Sequence, residues 1–153
     1  MLNQDDLKKI KETTEEFFRK TTFEVKIEFL PPRDLTIPIN LELEDPQILI
    51  GEGGQTLAEI QHLLKAILRR KIQEPFFIDL DISGYKKKKF EYLKELARSA
   101  ADEVAITKKE KILSPMPAYE RRIIHLELAG RSDITTESID QEPERRVVIR
   151  PYP

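Results

Sequence analysis

Apolar residues along this chain recur first at helical and then at strand intervals. Leu2, Leu7, Ile10, Thr14, Phe17 and Phe18 form one face at helical spacing, which predicts an amphipathic N-terminal helix. Phe23, Val25, Ile27 and Phe29 then alternate with Glu24, Lys26 and Glu28, a period of two that predicts a half-buried strand. Pro31-Pro32-Arg33-Asp34 makes a turn, and Leu35, Ile37, Ile39, Leu41 and Leu43 alternate again as a second strand. Pro38 lies inside that strand and predicts an edge position or a bulge, because proline has no N–H to give a ladder. The short run Ile48-Leu49-Ile50 is broken by Gly51-Glu52-Gly53-Gly54. Leu57, Ile60, Leu64, Ile67 and Leu68 then resume helical spacing. Phe76, Ile78, Leu80 and Ile82 give a third strand with Asp79 and Asp81 facing outward. The predicted order is helix, strand, strand, short helix, glycine loop, helix, strand.

The remaining residues repeat the mixture on a smaller scale. Phe90, Leu93, Ala97, Ala100 and Val104 predict the core face of a helix, followed by a short strand near Lys111 to Leu113 and the turn Ser114-Pro115-Met116-Pro117. A second helix is expected from about Ala118 to Leu128, with Tyr119, Ile123 and Leu126 in its buried stripe and Gly130 as its stop signal. Ile134 to Ile139 and Arg146 to Arg150 read as closing strands. The fold class is therefore α+β, in two small domains that each place a sheet against helices. The turn Ile82-Ser83-Gly84 is the expected break, giving domains 1–83 and 84–153.

Charge sharpens the division. Of the 153 residues, 39% are hydrophobic and 35% charged, against roughly 25% charged in an average globular protein, yet the net charge is only −2. Residues 1–83 carry 11 basic and 16 acidic side chains, and residues 84–153 carry 15 and 12, so an acidic half precedes a basic one. A polycation that binds nucleic acid indiscriminately is excluded. Absence of cysteine removes disulfides, thiolate metal sites and thiol catalysis, and two histidines, His62 and His125, are too few for a multi-histidine metal site. No metal, nucleotide or redox cofactor is implied. The charged start MLNQDDLKKIKE is not expected to be a signal peptide, and no apolar run approaches the roughly 20 residues of a membrane span. A cytoplasmic protein without an integral membrane segment is the expectation.

Gly51-Glu52-Gly53-Gly54 sits between two helical segments, and that placement limits its chemistry. A dinucleotide loop needs a preceding strand and a third glycine where Thr56 stands, and a phosphate-loop ATPase needs Gly-Lys-Ser/Thr. A G-x-x-G clamp between helices fits, because glycine lets backbone N–H groups approach a sugar-phosphate strand closely. With its flanking residues Ile48 to Leu57, the loop resembles that of a type II K-homology domain. The resemblance implies a groove for about four nucleotides, touched by Gly51, Glu52, Gly53, Gly54 and Gln55. Such loops commonly carry Lys or Arg where this one has Glu52, so Glu52→Ala is expected to strengthen rather than weaken binding.

Arg121 and His125 are four residues apart and share one helix face, with Arg122 beside them. A guanidinium and an imidazole so placed suit a phosphate and a stacked base. Lys86, Lys87, Lys88 and Lys89 upstream and Arg145, Arg146 and Arg150 near the end add positive charge. Alternation puts Arg146 and Arg150 on the face opposite Arg145. The stretch Leu113 to His125, with Thr136-Glu137-Ser138 and Arg145 to Pro151, resembles an R-three-H domain, a module that binds single-stranded nucleic acid. The tandem is similar to the bacterial Jag (SpoIIIJ-associated) family, whose members often carry a further N-terminal domain. This resemblance implies a non-catalytic, regulatory binder of single-stranded RNA, with single-stranded DNA undistinguished, and a smaller K-homology protein as partner. The rival expectation is a protein–protein adaptor linked to envelope growth or membrane-protein insertion. Catalysis gains no support: Asp79 and Asp81 read as a solvated strand face, and Ser114 and Ser138 as turn and strand residues.

Overall fold

Asn3 opens the first helix, α1 (Gln4–Arg19), through a reciprocal cap: its side chain accepts from the Asp6 N–H at 2.8 Å, and the Asp6 carboxylate accepts from the Asn3 N–H at 3.1 Å. The computed structural model describes all residues, Met1–Pro153, and the chain divides into two compact units, Met1–Lys86 and Lys87–Pro153. In the first unit α1 is followed by β1 (Lys26–Phe29), β2 (Thr36–Glu42), α2 (Gln47–Ile50), a single 3-10 turn (Glu52–Gly54), α3 (Gln55–Arg69) and β3 (Phe77–Ile82).

The three strands form one sheet in the order β1-β2-β3, with β1 antiparallel and β3 parallel to β2. The register pairs Ile37 with Ile78, Ile39 with Leu80 and Leu41 with Ile82, so one sheet face is wholly apolar. Ile10 and Phe18 of α1 and Leu57, Leu64 and Leu68 of α3 complete that core. The parallel β2–β3 pairing requires a crossover, and α2 and α3 are that crossover. The glycine loop is the joint within it.

Two strand expectations are corrected. Pro38 lies in the central strand, not at an edge. Its carbonyl accepts from the Leu30 N–H at 3.1 Å, just beyond the last regular β1 pair, Phe29–Ile39. The missing N–H therefore points where the β1 ladder has ended, and the bonds to β3 are made by its neighbours. β1 is also shorter than its alternation, because β2 ends at Glu42, the partner of Lys26. Phe23 and Val25 still pack on the core from outside the ladder.

The second unit takes most of α4 (Tyr85–Thr107), then β4 (Lys111–Ile112), α5 (Ala118–Leu128), β5 (Ile134–Ile139) and β6 (Arg146–Pro151). Its sheet has the order β4-β6-β5, antiparallel throughout. Leu93, Ala97, Ala100, Ala101 and Val104 of α4 pack with Ile124 and Leu128 of α5 and Val147 and Ile149 of β6. Small alanines let the helix approach its neighbours closely. Phe90, expected in this face, is 42% exposed, lying one turn before Leu93 where the core begins. The stripe of α5 also differs from expectation. Glu120, Arg121, Ile124 and Leu128 are buried, whereas Tyr119 and Leu126 are exposed. Gly130 is not left-handed, and α5 closes on a right-handed Ala129. No helix is long and apolar enough to cross a membrane.

Candidate nucleic-acid interface

Three glycines of the loop adopt positive φ, and each for a different reason. Gly51 (φ 74°, ψ 179°) has a backbone essentially reserved for glycine, and a Cβ there would lie 2.1 Å from Thr56 Oγ1. Gly54 (φ 81°) caps α3, and a Cβ would meet the Tyr85 ring at 2.9 Å. Gly53 (φ 60°) has nothing within 4 Å of the same position, so its backbone faces open space. The outer two glycines are demanded by packing, and the middle one leaves main chain accessible at the start of a 15-residue helix that has no side-chain cap. Glu52 is exposed beside this helix start, where its carboxylate complements the exposed N–H groups and competes with an incoming anion. Gln55 is tied by its amide to Glu59 at 3.1 Å.

The lysine run does not act as one patch. Lys86 Nζ donates to Asp79 at 2.6 Å and Gln61 at 3.1 Å, and its backbone N–H donates to Asp81 at 3.1 Å. Lys89 Nζ lies 3.9 Å from Glu120 and 5.4 Å from the Tyr92 ring centre. Lys87 and Lys88 are exposed and enter no ion pair.

Arg121 and His125 share a face as their spacing requires, but that face is turned inward. Arg121 is only 8% exposed; its Nε donates to the Met116 carbonyl at 3.2 Å and its Nη2 to Glu142 at 2.8 Å. His125 is held at both ring nitrogens, with Nδ1 2.7 Å from Thr136 Oγ1 and Nε2 2.9 Å from Ser138 Oγ. Thr136 and Ser138 stand two apart on β5, opposite Ile149 and Val147, and so lie on the helix-covered sheet face. The pair thus clasps α5 to the turn before it, to the loop after β5 and to β5 itself. The Thr-x-Ser spacing is the sequence signal for the histidine's partners; nothing in the sequence marks Glu142.

Arg122 is exposed and unpaired. Arg145 donates from Nη1 to the Asp140 carbonyl at 2.7 Å. Arg146 pairs with Asp140 at 3.1 Å and Glu144 at 3.3 Å, and Arg150 with Glu137 and, at 3.2 Å, Glu110. The structure therefore sorts the basic residues. Lys87, Lys88 and Arg122 keep uncompensated charge in solvent, while Lys86, Arg146 and Arg150 have carboxylate partners.

Burial, and secondarily the charge of Arg121, lowers the pKa of His125 below its usual 6.5. The unfolded chain then binds more protons than the folded one as pH falls below about 6.5. Stability contributed by neutral His125 is complete above that pH and is lost toward the lower folded value. Denaturant midpoints measured at pH 7.5 and 5.5 should fall on acidification, and in His125→Asn that fall should shrink. An unchanged pH dependence in the variant would contradict the assignment.

A three-stranded antiparallel sheet clasped by a helix with an arginine and a histidine separated by three residues defines the class of the second unit, and the R-three-H domain family matches residues 91–151. The RNA-binding protein KhpB of Clostridium symbiosum is 38% identical over 111 residues, covering 72% of this chain and 50% of that protein. KhpB of Bacillus subtilis is 36% identical over 116 residues, 74% of this chain and 56% of that protein. KhpB of Lactiplantibacillus plantarum is 35% identical over 111 residues, 72% of this chain but 34% of that protein. The chain spans about half the length of the first of these relatives. The second unit carries an R-three-H domain, and the similarity to these relatives supports a Jag-family protein.

Proposed function

We propose that this chain binds single-stranded RNA without catalysing a reaction and acts as a regulator of the RNA it holds. Met1–Lys86 is read as a type II K-homology domain and Lys87–Pro153 as its R-three-H companion. The observation that carries this reading is the loop between α2 and α3: Gly51 and Gly54 are locked by packing while Gly53 keeps its main chain open beside an uncapped helix start. The R-three-H match and relatives named as RNA-binding proteins support it. Uncompensated charge at Lys87, Lys88 and Arg122, with Arg145, supplies the phosphate contacts, and Arg121 and His125 hold the scaffold. On the family resemblance, a smaller K-homology protein is the proposed protein partner.

If each of those four cations meets one phosphate, log affinity falls against log salt with a slope of roughly −3, using the single-strand coefficient. Anisotropy titrations of labelled single-stranded RNA at several salt concentrations measure it. No saturable binding at low salt, or a slope near zero, sinks the reading.

A further inference from the structure

Beside α4 and α5 the R-three-H unit contains an open cavity of about 330 Å³ that the Arg121–His125 pair does not line. Tyr92, 58% exposed, stands at its mouth with Lys89, and Leu113 and Met116 line it. Glu120 also lines it, although that residue is only 4% exposed. A buried carboxylate carries a desolvation cost, reduced here by its place in the first turn of α5. Its contacts, the Tyr119 hydroxyl at 3.3 Å and Lys89 Nζ at 3.9 Å, both fall on Oε1. No buried side-chain oxygen in the structure lacks a partner, so Oε2, which makes neither contact, is not sealed from solvent.

We infer that this cavity takes one unstacked base of the bound RNA and selects for an exocyclic amine. The inference rests on the RNA-binding reading above and adds a specificity to it. Tyr92 supplies an aromatic platform, Leu113 and Met116 an apolar floor, and Lys88 and Lys89, on the first turns of α4, positive charge for the adjoining phosphate. Glu120 Oε2 accepts the amine hydrogen of adenine, cytosine or guanine. Uracil has no exocyclic amine; the one donor on its pairing edge, N3–H, is flanked by two carbonyl oxygens that the carboxylate repels, so it is the poorer partner. A wrong base also shuts Oε2 off from water without giving it a partner, which turns a lost hydrogen bond into a penalty.

The test is anisotropy with the full chain and labelled oligo-A, oligo-C and oligo-U of equal length and equal salt. Oligo-A and oligo-C should bind about tenfold more tightly than oligo-U. In Glu120→Gln the amide can turn either its oxygen or its NH2 to the base, so the preference should fall to within about twofold. Tyr92→Ala should weaken all three alike. Circular dichroism establishes that each variant is folded, and the wild-type comparison needs no variant. Equal affinity for the three oligomers in the wild type, or an undiminished preference in folded Glu120→Gln, overturns the inference while leaving RNA binding intact. Failure of every oligomer to bind overturns the RNA-binding reading instead.

Discussion

Gly51→Ala is expected to destabilise the N-terminal unit by about 2–5 kcal/mol, combining a backbone that alanine rarely adopts with overpacking. The added methyl would lie 2.1 Å from Thr56 Oγ1 and 2.9 Å from the Thr56 nitrogen. Rotation of the threonine relieves the first clash, but the second is with main chain. The loop must then open, and with it the joint between α2 and α3 that closes the β2–β3 crossover. Gly53→Ala, two residues on, meets no atom within 4 Å and carries only the left-handed strain of about 1–2 kcal/mol. Thermal or denaturant unfolding of the two variants side by side checks this. Equal losses at the two positions would show that loop packing does not distinguish them. A folded Gly53→Ala that binds RNA more weakly would place the ligand at the open main chain.

The second large effect separates two adjacent arginines. Arg121→Ala removes a guanidinium that bonds the Met116 carbonyl and packs its stem in the core of the R-three-H unit; a loss of about 2–3 kcal/mol is expected. Most of this comes from burial, since Glu142 is exposed and an ion pair to it is worth little. Arg122→Ala touches none of those contacts and should leave stability within about 0.5 kcal/mol. Its RNA affinity, however, should fall several-fold at low salt, with the salt slope reduced by about 0.7. Melting curves and salt-dependent anisotropy on both variants give the comparison. If Arg121→Ala stays as stable as the wild type and loses binding, the buried clasp is not the role of Arg121.

Both experiments bear on what is legible in the chain. The element order through Ile82 follows from apolar period alone, and the loop stands out because three glycines interrupt two helical segments. The Arg121–His125 spacing is equally plain. What spacing omits is the direction of the shared face, because a helix wheel gives relative angles and not the side on which the sheet packs. Tyr119 and Leu126 are read inward for the same reason, yet they lie outward while Glu120 and Arg121 are buried. Pro38 reads as an edge residue because strand order is hidden from local pattern; its central place depends on the crossover of α2 and α3 between Glu42 and Phe77. The open main chain at Gly53 and the packing demands on its neighbours likewise appear only when Thr56 and Tyr85 are in place.

Charge shows the division most clearly. Composition alone determines an acidic first half, a basic second half and a total too small for indiscriminate attraction to polyanions. Which cations stay available is decided by tertiary structure. Folding brings Asp79 to Lys86, Glu142 to Arg121, and Glu110 with Glu137 to Arg150, and leaves Lys87, Lys88 and Arg122 in solvent. Local periodicity is written in neighbouring residues and survives without the fold. Neutralisation and burial depend on partners as far as 73 residues away, and only packing brings them together.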